Sequence, residues 1–347
     1  MIGTQQARPR SRQAARDEFG RRIADITRPE FVAAHVLPWL PDRSRTGVRP
    51  EDVAVSTLQN DGTGPATVLY TIGGATRLFA KLYLEDSGPR VFGVLRSLWR
   101  DGFGAGAPYQ VPEPLCVLER HNGLLMREAA GENLAAALER SAEAATPGVA
   151  AAARWLVALH GTPTRAGNPE QPWYMFLKLS DRLAKAAAAH PEELRHLLDL
   201  LGQMEGVADR RRPVEPVQGH GQFRPIHVYL GNGGVTVIDL DRSGPGDPAR
   251  DVAEFIHRLR STLGRDGGAG LQADPLTTVF LREYADRAPG RLSNLPFYHG
   301  FQVLVSLCRH MKRLDPDDPA RPALLDFYAR ELEAVTSGRL LENAGLI

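Results

Sequence analysis

The sequence predicts an α+β fold in two lobes, a small antiparallel β-rich N-terminal lobe and a larger, mainly helical C-terminal lobe. Three observations predict it. Short alternating segments rich in Val, Thr, Tyr and Phe crowd residues 53–84 and recur near 114–130. From Gly131 the periodicity turns helical, with one β-rich interlude at 214–241. Strands nowhere alternate regularly with helices, which speaks against a doubly wound parallel sheet. A length of 347 residues suits two lobes, and 43% hydrophobic with 24% charged residues is a soluble globular balance. The expected organisation is an N-terminal extension at 1–48, partly helical, a β-rich lobe at 49–130 and a helical lobe at 131–347.

In chain order, the first twenty or so residues are polar and Arg-rich, and read as frayed or loosely helical. Ile23 to Leu40 reads as one or two short helices stopped by Pro38 and the Pro41-Asp42 turn. The segments VAVSTLQ, ATVLYTI and RLFAKLYL, separated by NDGTGP and GGAT, predict a three-strand meander. A helix follows near Arg90–Arg100, with Val91, Val94, Leu95 and Leu98 on one face, and ends in DGFGAGAP. PLCVLER and GLLMREA predict a hairpin turning at His121-Asn122-Gly123. Helices are expected over Leu134–Ser141, Val149–His160, Trp173–His190 and Pro191–Leu201, and again from Asp251 to the end.

Composition excludes several classes. Lys and Arg total 42 against 41 Asp and Glu, so no global electrostatic hold on nucleic acid or an anionic membrane is expected. The two cysteines, Cys116 and Cys308, lie far apart in apolar runs and build neither a disulfide framework nor a Cys-rich zinc site. No stretch approaches the roughly 18 apolar residues of a membrane helix. The basic N-terminus lacks the apolar core of a secretory signal, and a cytoplasmic location is the expectation.

Chemistry concentrates in the β-rich interlude. PIHVYL, GNGG and VTVIDL read as a hairpin that returns Asp239 and Asp241 to the neighbourhood of Gln222 and His227. A carboxylate closing an apolar strand beside a His and an amide makes a plausible cation or phosphate site; a turn cap and a packed imidazole are the plain alternatives. Lys81 is centred in an otherwise apolar strand, where an ammonium needs a polar partner or the solvent-facing side of the sheet.

Order and spacing of HGQFRPIH (220–227), IDLD (238–241) and GDPARDVA (246–253) resemble the aminoglycoside phosphotransferase and choline kinase superfamily, which has a protein-kinase-like fold. That family carries His-Gly-Asp-x-x-x-x-Asn, then Ile-Asp, then Gly-Asp-Pro-x-x-Asp. The resemblance covers about residues 50–340. It implies ATP (or GTP) and Mg²⁺ as cofactors, with Lys81 on the α- and β-phosphates and the loop 60–65, including Asp61, Gly62 and Gly64, over them. Glu128 falls in the stretch similar to the hinge that holds adenine by main-chain groups. Asp239 matches the metal-binding aspartate. Asp251 matches the aspartate that caps its helix and ties down the catalytic loop, and His220 the histidine that braces it.

Three positions depart from the pattern. Gln222 stands where the family has the aspartate that receives the substrate hydroxyl proton, and an amide orients a hydroxyl without accepting its proton at neutral pH. His227 replaces the metal-binding asparagine, which points toward Mn²⁺ or toward a substitute base. The helix RVFGVLRSLWR offers no glutamate to pair with Lys81, and Val91 stands there. Arg224 is an additional cation beside the reaction centre. The implied catalytic set is therefore Gln222, His227 and Arg224, with Asp239 and His227 on the metal.

The implied activity is an ATP-dependent O-phosphotransferase acting on a hydroxyl of a neutral or anionic small molecule. The acceptor is expected between the regions 173–185 and 298–313, where Lys178, Arg182, Lys185, Arg309, His310, Lys312 and Arg313 outnumber nearby carboxylates. A polycationic aminoglycoside would need the opposite charge. A nucleotide-binding pseudokinase with a regulatory role is the alternative, and a kinase-like nucleotidyltransferase a third reading.

Overall fold

The computed structural model describes residues 12–40, 47–59, 64–164, 171–231, 233–263, 275–315 and 318–347. The chain divides into two compact units, Met1–Ala129 and Ala130–Ile347.

The first unit is built on a five-stranded antiparallel sheet. Its strands are β1 (Ala54–Gln59), β2 (Ala66–Ile72), β3 (Thr76–Leu82), β4 (Pro114–Leu118) and β5 (Gly123–Arg127), in the spatial order β1-β2-β3-β5-β4. The predicted meander and hairpin thus join as one sheet through β3 and β5, with Lys81 opposite Thr67 and Leu124. The β4–β5 hairpin turns through Asn122, whose backbone is left-handed (φ 47°). Asn122 Oδ1 accepts from the N–H of Gly88, the first residue of helix α2 (Gly88–Leu98).

One helix starts earlier than the periodicity predicts. Helix α1 spans Arg12–Ile26, and Phe19, Ile23 and Ile26 share the core with Val68, Tyr70, Leu78, Ala80 and Leu82. The described part of the expected extension is therefore a layer of the first unit. Charged residues between the apolar ones hide this stripe in the sequence, and some of them work as clamps. Arg22 donates to the carbonyls of Tyr83 (3.2 Å) and His121 (3.0 Å), and the Tyr70 hydroxyl donates to Ile26 O at 2.8 Å.

The second unit is mainly helical: α3 (Leu134–Arg140), α4 (Thr146–His160), α5 (Pro172–Ala189), α6 (Leu194–Asp209), α7 (Pro248–Leu263), α8 (Pro275–Arg287), α9 (Leu295–Met311), α10 (Arg321–Thr336) and α11 (Arg339–Asn343). Helix α9 packs against α5, α6, α7 and α10, and α4 packs on α8. Apolar residues recurring at three and four positions explain the arrangement: Val252, Phe255, Ile256 and Leu259 of α7, like Val303, Leu304 and Leu307 of α9, are buried. Between α6 and α7 run β6 (Val217–Gly219), β7 (Val228–Gly231), β8 (Gly234–Val237) and β9 (Gly244–Gly246). Strands β7 and β8 form the predicted hairpin, and β9 returns antiparallel to β6.

Candidate active site

The loop from His220 to His227 is held by backbone hydrogen bonds from several directions. Asp251, in the first turn of α7, accepts from the N–H of His220 (2.6 Å, Oδ2) and of Gly221 (2.8 Å, Oδ1). Arg250 donates to Gly221 O at 3.1 Å. Gly221 is left-handed (φ 81°), and a Cβ there would collide with the carbonyl of Arg242. Ser243 Oγ donates to Gly219 O at 2.7 Å, closing the β6–β9 pair. Phe223, fully buried, stacks between Trp155 (centroids 5.7 Å apart) and Phe255 (5.0 Å), so the loop rests on an aromatic column.

His220 is a brace. Its Nε2–H donates to Ile238 O (3.0 Å), and Nδ1 accepts from the N–H of Gln222 (3.3 Å). Burial lowers its basicity, which keeps the ring neutral in that arrangement. Asp251 is also buried. Burial alone would raise its carboxyl, but the hydrogen bond with His160 (Nε2–Oδ2, 3.3 Å) and the nearby Arg250 guanidinium hold it below the usual range.

The β7–β8 hairpin brings His227 and Asp239 together. Val228 pairs with Val237, and the next rung is the N–H of Ile238 donating to His227 O at 3.0 Å. Asp239 follows in the left-handed region (φ 69°), a rare conformation for a non-glycine residue. His227 donates Nδ1–H to Gln222 O (2.9 Å), which leaves the Nε2 lone pair toward Asp239 Oδ2 at 3.3 Å. Burial, with the neighbouring His220, pushes the His227 ring down to about 4, so it is neutral near pH 7. A neutral ring nitrogen and a carboxylate oxygen facing each other are satisfied by a shared divalent cation. This donor set fits such an ion, and its imidazole favours Mn²⁺ over Mg²⁺ more than an amide would. Among the described residues no group of three or more His, Cys, Asp or Glu could hold a metal.

The same geometry argues against the substitute-base role expected for His227. One ring nitrogen is committed to Gln222 and the other faces Asp239, and a group that titrates near 4 is a weak base at neutral pH. Gln222 and Arg224 are joined to each other. With its amide oxygen turned to Arg224, Gln222 accepts from Nη2 at 2.6 Å and Nη1 at 3.2 Å. Arg224 Nε in turn donates to Glu254 Oε1 at 2.6 Å.

In the first unit, Lys81 is half-buried on the face of β3 opposite Leu78, Ala80 and Leu82, with Nζ 5.9 Å from the centre of the Tyr83 ring. Glu128 forms an ion pair with Arg77 (2.6 Å), and its N–H donates to Arg77 O. Gly64 lies in a half-buried bend, while Asp61 and Gly62 fall outside the described residues. Val91 is buried in α2, which carries no acidic residue. Sequence reasoning missed Glu254, the anchor of Arg224, and His160, the side-chain partner of Asp251. A carboxylate inside the apolar run VAEFI was the available signal for Glu254.

The sequence pattern of the phosphotransferase enzyme family matches residues 58–291, and the chain belongs to that family. Solved structures share the protein-kinase-like α+β fold. A choline kinase from Cryptosporidium parvum is 11% identical with a TM-score of 0.60, over 91% of this chain and 99% of that one. A choline/ethanolamine kinase family protein from Mesorhizobium loti is 14% identical (TM-score 0.55; 92% and 99% covered). A spectinomycin phosphotransferase, solved with ADP and spectinomycin, is 13% identical (TM-score 0.53; 84% and 93% covered). No curated protein matches the sequence.

Proposed function

We propose that this protein is an ATP-dependent O-phosphotransferase that moves the γ-phosphoryl group to a hydroxyl of a neutral or anionic small molecule. The observation that carries the reading is the pair His227 Nε2 and Asp239 Oδ2, held 3.3 Å apart by the hairpin register in a chain of the phosphotransferase family. Asp239 and His227 hold the divalent ion, Mg²⁺ or Mn²⁺, which when bound neutralises phosphate charge. Lys81 contacts the α- and β-phosphates, and the loop with Asp61, Gly62 and Gly64 covers them. Asp251 and His220 keep the catalytic loop in one conformation, so that little reorganisation is left for the reaction.

Gln222 orients the acceptor hydroxyl through its amide, and Arg224 aims that amide and adds positive charge where phosphate charge shifts. The acceptor proton leaves to solvent or to the transferred phosphate, since neither the Gln222 amide nor the His227 ring takes it at neutral pH. Phosphoryl transfer through a loose transition state depends mainly on positioning and charge, so the absence of an aspartate at position 222 slows the reaction without forbidding it. Loss of a general base costs about 10²- to 10⁴-fold.

A nucleotide-binding pseudokinase is the second reading, favoured by the engagement of the Gln222 oxygen by Arg224. One experiment separates the two. Thermal unfolding with ATP or GTP, each with Mg²⁺ or Mn²⁺, is measured for wild type, Lys81→Ala and Asp239→Ala, followed by ADP release across an acceptor panel. Ligand at about 100 times its Kd contributes roughly 2.7 kcal/mol. A metal-dependent shift lost in both variants, with acceptor-stimulated ADP release, is expected. The shift without any release supports the pseudokinase; no shift at all overturns both.

A further inference from the structure

Behind the loop 220–227 a chain of hydrogen bonds runs inward from Asp251 to helix α8. Asp251 Oδ2 takes the N–H of His220 at 2.6 Å and meets His160 Nε2 at 3.3 Å, while Oδ1 takes the N–H of Gly221 at 2.8 Å. His160 is the last residue of α4, and its other ring nitrogen, Nδ1, lies 2.7 Å from the hydroxyl of Tyr284 on α8. The two rings meet edge to face with centroids 5.7 Å apart. Arg291 Nη1 donates to His160 O at 3.2 Å, so the backbone of this histidine is held as well as its ring.

This chain fixes which nitrogen carries the ring proton. An ionised carboxylate only accepts, so the contact with Asp251 requires a proton on His160 Nε2. In the neutral ring Nδ1 is then a lone pair, and the Tyr284 hydroxyl is its donor. Burial leaves little room for water to substitute: the side chains of His160 and Asp251 are 0% and 3% exposed, and Tyr284 is 0% exposed. In the other tautomer a ring lone pair would face the Asp251 carboxylate, and that repulsion would turn the carboxylate away from the loop amides.

We propose that Tyr284 is a positioning residue for the loop 220–227: its hydroxyl holds His160 in the Nε2–H tautomer, and that proton keeps Asp251 aimed at the N–H groups of His220 and Gly221. Helix α8 packs along α4, so the hydroxyl belongs to a fixed frame. The value of the loop to phosphoryl transfer rests on the proposed function, whereas the positioning is read without turnover.

The test compares wild type with Tyr284→Phe and Tyr328→Phe. Tyr328 is the matched control, a buried tyrosine of α10 whose hydroxyl lies 2.6 Å from Nδ1 of His310 on α9. Nitrogen-15 NMR of the histidine rings reads the tautomer, and amide hydrogen exchange reads the loop. Wild type is expected to hold His160 as the Nε2–H tautomer. Tyr284→Phe should lose that preference and speed exchange at His220 and Gly221 by about tenfold, near the worth of one hydrogen bond, while Tyr328→Phe leaves both amides unchanged. A wild-type His160 protonated at Nδ1, an unchanged tautomer in Tyr284→Phe, or equal acceleration in the two tyrosine variants overturns the proposal.

His160→Gln gives a second background. Its amide donates toward Asp251 with no tautomer to set, so adding Tyr284→Phe should change loop exchange no further; additive effects overturn the route through His160. A last arm measures ADP release from ATP with Mg²⁺ or Mn²⁺ across the same acceptor panel. Tyr284→Phe is expected to lower kcat by about tenfold with KM for ATP unchanged, and a change in KM alone overturns the positioning role in the reaction. Absence of release in wild type, with the exchange result intact, overturns the proposed function and leaves the positioning of the loop standing, so the two failures are distinct.

Discussion

Asp251 illustrates how a few hydrogen bonds decide whether a site exists. Its two oxygens take the N–H groups of His220 and Gly221, and removing an acceptor from a buried donor costs about 1–3 kcal/mol per orphaned group. Asp251→Ala is expected to lower stability by on the order of 3 kcal/mol, read by denaturant titration. At Gly221 the constraint is steric. Gly221→Ala must take a left-handed backbone and push against the Arg242 carbonyl, so it is expected to cost more than about 1 kcal/mol and to remove activity. Gly246→Ala, where a Cβ meets nothing within 4 Å, serves as the tolerated control. His227 tests the metal. His227→Asn replaces an imidazole nitrogen by an amide oxygen, and direct titration of nucleotide-loaded protein with Mn²⁺ and Mg²⁺ should show selectivity moving toward Mg²⁺. Unchanged selectivity would remove His227 from the metal.

At the scale of elements, helix α1 has the least expected role. Phe19 is 1% exposed and packs with the apolar face of the sheet, so Phe19→Ala should destabilise the first unit by about 3–5 kcal/mol. A melt that leaves this unit unperturbed would show α1 to be a loose appendage. The β7–β8 hairpin acts differently, as a spacer. Its register sets the distance between His227 and Asp239, and a one-residue slip would send one of them to the other face.

Across the whole molecule, buried histidines couple stability to pH. His257 is pushed down to about 3, first by burial and then by Arg258, Arg260, Arg309 and Arg224; His299 is lowered as well, and neither of its ring nitrogens has a hydrogen-bond partner among the described residues. The folded state therefore binds fewer protons than the unfolded chain below its ordinary histidine value of 6.5. Stability is full above that value and declines as pH falls toward the folded value. His257 alone should contribute a loss of about 1.4 kcal/mol by roughly pH 5.5. Because the imidazole of His299 is buried without partners, His299→Leu should stabilise the protein by about 1–3 kcal/mol and flatten this acid limb. Unfolding of both proteins at about pH 7.5 and pH 5.5 measures both effects.

The α+β class, the strand and helix order, and the run of motifs from His220 to Asp251 were legible in the sequence, because hydrophobic period and turn chemistry act locally. Lys81 also stood out, as a charge inside an apolar strand. Partnerships were not legible. The joining of β3 to β5, the docking of α1, the attachment of Asp251 to His160 and the commitment of both His227 nitrogens all bring together residues far apart in the chain or depend on ring orientation. Local pattern carries no record of such contacts. The residue types at positions 222 and 227 were set by the sequence; what Gln222, Arg224 and Glu254 do to one another was decided by tertiary structure, since a hydrogen bond needs its donor and acceptor about 3 Å apart.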